Sequence, residues 1–141
     1  LSQFLTNEAI YQKSPEELTS LLYEACYNNL EQAIQQIDEK DYVTANESLQ
    51  KASDIVHRLG AGLNYEAGIV ADQLDQLYNY MADKIIEANY KKDKAILQEL
   101  IQLLTSIMGA WNEAMKTKQD IQPKSLRQKA SVYENNVMYD N

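Results

Sequence analysis

His57 and Asp54 are the only imidazole and carboxylate that the sequence places one helical turn apart, in Asp54-Ile55-Val56-His57. Such a pair at i, i+3 is the unit from which carboxylate-bridged di-iron bundles are built. Those sites need two such pairs and two further carboxylates. With a single histidine in the chain that centre cannot be assembled, and His57 is expected at the surface or boundary of a helix. Cys26 is the only cysteine; it has no CxxC partner and no histidine nearby in sequence. Disulfide formation within the chain is excluded, and Cys26 reads as a small buried hydrophobe. Lys91-Lys92 falls near the end of a helical pattern, where cations suit the helix dipole. No Gly-rich phosphate loop, Ser-His-Asp order or zinc spacing occurs. No catalytic residue, metal ligand or cofactor is expected, and the chain does not read as an enzyme.

The elements around these residues are helical. Ser14-Pro15-Glu16-Glu17 is a helix start: a side-chain acceptor, a proline at the first helical position, and acids in the first turn. The apolar stripe after it runs Leu18, Leu21, Leu22, Ala25, Leu30, Ala33, Ile34, Ile37, and stops at Asp38-Glu39-Lys40-Asp41. A second stripe is Ala45, Leu49, Ala52, Val56, Leu59 and Leu63, ending among Gly60, Gly62 and Asn64, residues that tolerate a left-handed cap. A third is Val70, Leu74, Leu77, Met81, Ile85 and Ala88, broken by Asn89-Tyr90-Lys91-Lys92-Asp93, where Asp93 suits the cap of the next helix. The fourth is Leu97, Leu100, Leu104, Ile107, Trp111 and Met115, with Trp111 expected in the core. Short connections between long helices favour antiparallel neighbours. The expected fold is all-α: an antiparallel up-down four-helix bundle over residues 1–118, with a short N-terminal helical segment near residues 3–12 and a mobile polar C-terminal tail over 119–141.

Composition sets limits on partners. Of the 141 residues, 45% are apolar, and the formal net charge is −8, which disfavours nucleic acid. Residues 1–115 carry 8 Lys/Arg against 18 Asp/Glu, whereas residues 116–141 carry 5 against 3. No stretch has the roughly 18 uninterrupted apolar residues of a membrane span, and the start, Leu1-Ser2-Gln3-Phe4-Leu5, has no signal-peptide pattern. A cytoplasmic protein without membrane insertion is expected. Ten tyrosines against one Phe and one Trp is an uneven split. Tyrosine joins an apolar ring to a wet hydroxyl and is enriched where a surface is buried on binding. Tyr23 and Tyr27 stand one turn apart; Tyr78 and Tyr80 cannot share a face, so with Tyr78 beside the third stripe Tyr80 is expected to look outward.

Four strings, in order, resemble the flagellin-specific flagellar secretion chaperone family (FliS). They are Tyr11-Gln12-Lys13-Ser14-Pro15-Glu16-Glu17-Leu18 followed by Leu21-Leu22-Tyr23; Lys51-Ala52-Ser53-Asp54-Ile55-Val56-His57-Arg58-Leu59; Leu77-Tyr78-Asn79-Tyr80-Met81 with Ala88-Asn89 and Asp93; and Ala110-Trp111. Together they cover about residues 8–116. Glu24-Ala25 stands where members often carry Asp-Gly. The resemblance implies a helical bundle that binds the C-terminal segment of newly made flagellin. The bound segment is kept from premature polymerisation and presented to a flagellar export gate component, with no nucleotide or metal. The alternative is a bundle adaptor for a different secreted protein. Client-binding residues are expected off the core stripes, at Leu63, Asn64, Tyr78, Tyr80 and Asn89, with the N-terminal segment carrying Tyr11 and Gln12 packed in or beside the groove.

Overall fold

A computed structural model gives the fold; it describes residues 13–63 and 69–139, with 69 and 118–139 described as backbone alone. The expected N-terminal helical segment, with Tyr11 and Gln12, and the expected groove residue Asn64 lie outside the described residues. The described chain is helical: α1 Pro15–Asp38, α2 Tyr42–Ala61, α3 Ile69–Lys91 and α4 Lys94–Tyr139. It forms two compact units, residues 1–108 and 109–141.

In the first unit α1 packs on α2 and α2 on α3. Two side-chain bonds fix the helix directions. Asn89 near the end of α3 donates to Asn46 near the start of α2 at 2.8 Å, and Lys94 at the start of α4 pairs with Asp38 at the end of α1. One end of the bundle therefore holds the C-termini of α1 and α3 and the N-termini of α2 and α4. The helices alternate up and down, as the short connections imply.

The helix starts follow the sequence. Ser14 caps α1 by accepting from the Glu17 amide at 3.1 Å, with Pro15 at the first helical position. Asp41 caps α2 by accepting from the Thr44 amide, and Asp93 accepts from the Ala95 amide at 2.9 Å. The helix ends fall where the stripes stop, but their left-handed residues are not the expected glycines. Gly62, the C-cap of α2, has an ordinary φ of −86°. The two left-handed residues are lysines, Lys40 (φ 60°) and Lys92 (φ 51°). At each, the next amide reaches back to close the helix: Asp41 N–H to the Gln36 oxygen at 2.8 Å, and Asp93 N–H to the Ala88 oxygen at 3.0 Å. That is the six-to-one bond of a Schellman end. Each aspartate thus closes one helix with its amide and opens the next with its carboxylate. Both joints are the same dipeptide, Lys-Asp.

The core is formed largely by the expected stripes. Leu30, Ala33, Ala45, Leu49, Ala52, Met81, Leu97 and Leu104 have no exposed surface, and Cys26 is likewise fully buried. In α3 the buried line runs Ala71, Tyr78, Met81, Ile85, Ala88, whereas Val70 is exposed. In α1 Tyr23 is buried beside Leu22 and Cys26. The phenol groups of Tyr23 and Tyr78 meet each other, which is how the core accepts two residues that hydropathy alone leaves at the edge. Asn29, also buried, donates to the Ala25 carbonyl at 2.8 Å within its own helix.

In the second unit the backbone is helical to Tyr139, past Thr117, where the apolar spacing ends. Apolar spacing reports burial; Lys and Gln, which are frequent there, favour a helix by intrinsic propensity. Trp111 and Met115 are partly exposed, so Trp111 is less enclosed than its place in the fourth stripe suggests.

Candidate functional site: two helix grooves

α3 carries two outward apolar features. Toward its C-terminal end Ile86 is 61% and Tyr90 90% exposed. They are one turn apart, so they present one continuous strip. Ile85, next to Ile86, is buried. Between this strip and α2 lies a groove of about 360 Å³, lined by Leu49, Gln50 and Ser53 of α2 and by Ile85, Ile86, Asn89 and Tyr90 of α3. Its lining is apolar along the floor and neutral-polar at the rim. Among the described residues no carboxylate or cation lines it.

A smaller groove of about 220 Å³ lies along α3 and α4, lined by Tyr80, Lys84, Ile96, Glu99, Leu100 and Leu103. Tyr80 is 48% exposed, and the Lys84 ammonium sits 5.8 Å from its ring centre. Lys84 is tied to Glu87 at 3.1 Å, and Glu87 to Lys91 at 3.0 Å. Glu87 is held below the usual carboxylate range by its bonds to Lys91 and Lys84, and Lys84 is raised by its bond to Glu87. The charges near this groove are therefore mutually matched.

The expected site residues separate in space. Tyr80 lines the α3/α4 groove and Asn89 the α2/α3 groove. Tyr78 is 3% exposed and leaves almost no surface to a partner. Leu63 is half-buried just beyond α2, with its amide bonded to the Gly60 carbonyl. It is at the far end of α2 from Asn46, roughly 26 Å away at 1.5 Å per residue. Ile86, Tyr90, Gln50 and Ser53 complete the larger groove without having been singled out by sequence reasoning. The signal for Ile86 was its position beside Ile85; that for Tyr90 was the one-turn spacing from Ile86.

His57 is exposed, with Nδ1 2.7 Å from the Ser53 carbonyl, and Asp54 points to solvent. Burial pushes the Cys26 thiol up to about 12, which keeps it protonated and unreactive. Among the described residues no group of three or more His, Cys, Asp or Glu could hold a metal ion, and no helix is long and apolar enough to cross a membrane. What the grooves offer is surface for a helix or an extended segment of another chain.

Residues 2–118 match the family model described as flagellar protein FliS. The chain is 32% identical over 105 residues to the flagellar secretion chaperone FliS of Bacillus subtilis, covering 74% of this chain and 78% of that protein. It is 32% identical over 114 residues to the flagellar secretion chaperone FliS of Salmonella typhimurium, covering 79% and 84%.

Proposed function

The chain belongs to the FliS family of flagellar secretion chaperones, and from that premise we propose that it binds the C-terminal segment of flagellin in the α2/α3 groove. It acts in the cytosol, keeps that segment from polymerising before export, and supports its delivery to the flagellar type III export apparatus. The observation that carries the reading is the strip of Ile86 and Tyr90, 61% and 90% exposed above an apolar groove. An amphipathic segment that would otherwise self-associate can bury its apolar face there. Binding needs only differential burial and ordering, without nucleotide or metal. The client pays an ordering cost on binding, which lowers net affinity and suits later release.

The test is a calorimetric titration of a synthetic peptide of the flagellin C-terminal segment into the full chain. Wild type should bind with a negative heat-capacity change, the mark of apolar burial. Ile86→Glu and Tyr90→Glu should each retain the helical circular dichroism and weaken binding at least tenfold. Wild-type affinity in both variants, with Tyr80→Glu abolishing binding, would move the client to the α3/α4 groove. No binding by wild type would favour a bundle adaptor for a different secreted protein.

A further inference from the structure

Asn89, which lines the α2/α3 groove, is the middle of three side chains whose hydrogen bonds all run in one direction. Lys92 Nζ donates to the main-chain oxygen of Asn89 at 2.7 Å and to Asn89 Oδ1 at 2.5 Å. An ammonium has donors and no lone pair, so the amide of Asn89 must turn its oxygen toward Lys92. That leaves Asn89 Nδ2 aimed at α2, where it donates to Asn46 Oδ1 at 2.8 Å. Asn46 in turn must direct its oxygen at Asn89 and its own Nδ2 elsewhere. The cation thus sets the orientation of two successive amides. Lys92 itself is fixed by its left-handed backbone in the joint between α3 and α4. Asn46 stands one turn before Gln50 on α2, and Gln50 and Asn89 both line the groove.

From this relay we infer that Asn46 Nδ2 is a pre-oriented donor at the end of the α2/α3 groove, and that it receives a main-chain carbonyl from the last turn of the bound client helix. Asn46 is thereby the residue that fixes the register of the client, and the inference rests on that groove being the client site. Two physical grounds select a carbonyl end. The last turn of a helix carries four carbonyl oxygens without intrahelical partners. It also carries partial negative charge, which is favoured next to a cation such as Lys92. The rest of the lining is apolar or neutral, so the floor lets a helix with an i, i+4 stripe slide by a turn at little cost. A single oriented donor at one end penalises the slipped registers, because it is then left facing apolar side chains. Orienting the amide through Asn89 and Lys92 removes the entropy that a freely rotating Asn46 would lose on binding.

The experiment uses the full chain and two kinds of probe. One is the synthetic flagellin C-terminal peptide. The other is a set of the same peptide in which each amide of its last helical turn is replaced in turn by an ester, whose carbonyl is the weaker acceptor. The key variant is Asn46→Asp: it keeps the oxygen that accepts from Asn89 and exchanges the donor for an acceptor. It should bind the unmodified peptide about tenfold more weakly, the size of one hydrogen bond made unfavourable, with an unchanged melting temperature. Lys92→Met should lose less, about threefold, because Asn89 is freed to rotate but both amides remain. At least one ester should weaken binding to wild type and leave binding to Asn46→Asp unaffected; this coupling is a readout that a purely structural role for Asn46 would not move, and it is interpretable even if the variant melts early. Wild-type affinity for the Asn46→Asp variant, or ester losses equal in both proteins, overturns the inference while leaving the client assignment standing. Failure of wild type to bind the unmodified peptide overturns the client assignment and this inference with it.

Discussion

The phenol oxygens of Tyr23 and Tyr78 lie 2.5 Å apart inside the bundle, linking α1 to α3 across 55 residues of sequence. Their rings stand 6.5 Å apart between centres at 49°. Buried hydroxyls cost free energy unless paired, and here each supplies the other's partner. Removing one partner should therefore hurt more than removing both. Tyr23→Phe strands the Tyr78 hydroxyl and should cost about 1–2 kcal/mol. The double variant Tyr23→Phe/Tyr78→Phe should recover most of that loss. Urea denaturation of the three proteins measures it; additive losses would show that the hydroxyl pair does not act as a unit.

The same burial sets the alkaline limit of the fold. Burial raises Tyr78, Tyr23 and Cys26 above their ordinary values, Cys26 to about 12. In the unfolded chain these groups ionise near pH 8.5 for Cys and 10 for Tyr. Above those values the unfolded state holds fewer protons than the folded state, so stability falls as pH rises. The melting temperature should be independent of these groups below about pH 8 and fall from about pH 9 upward. Cys26→Ala should delay the onset toward pH 10. An onset unchanged by that substitution would assign the alkaline loss to the tyrosines alone.

Cys26 also reports opening of the core. With no exposed surface and a raised pKa, its thiol should react with Ellman's reagent only as fast as the bundle opens. Adding urea below the transition should accelerate labelling in proportion to the unfolded fraction. Rapid labelling in buffer would contradict the burial.

Lys40 and Lys92 both occupy the left-handed region, where an L side chain is disfavoured and glycine is not. Lys40→Gly should stabilise the chain by about 0.5–1 kcal/mol. Lys92→Gly relieves the same backbone cost but also removes two hydrogen bonds to Asn89. It should come out about 1 kcal/mol less favourable than Lys40→Gly. Equal effects in thermal melts would mean that the Lys92 ammonium contributes nothing to the folded state.

The order of the helices and their starts could be read from sequence because the signals are local. Ser14-Pro15, Asp41 and Asp93 act on amides within three residues, and a stripe such as Leu97, Leu100, Leu104 records one face of one helix. The Tyr23–Tyr78 pair was hidden because neither tyrosine is apolar enough alone, and the hydroxyl contact that helps bury them spans 55 residues of sequence. The left-handed ends were hidden for a related reason. Glycine is the usual marker, and these joints place lysine there, fixed by a backbone bond from the following aspartate. The grooves are legible least of all, since a groove belongs to two helices at once. Asn89 and Tyr80 are both on α3, yet they open onto different neighbours.

The two Lys-Asp joints also bear on how the chain finds this fold. Each joins two long helices with almost no intervening chain, so the loop-closure entropy for pairing α1 with α2 is about as small as a turn allows. Contacts formed across such joints are close in sequence, which favours rapid folding. Each joint also locks phase: one inserted residue would turn the following helix by about 100° about its axis, carrying Ala45, Leu49 and Ala52, or Leu97, Leu100 and Leu104, from the core toward water. A single-residue insertion between Lys40 and Asp41 should therefore be far more damaging than most substitutions at either position.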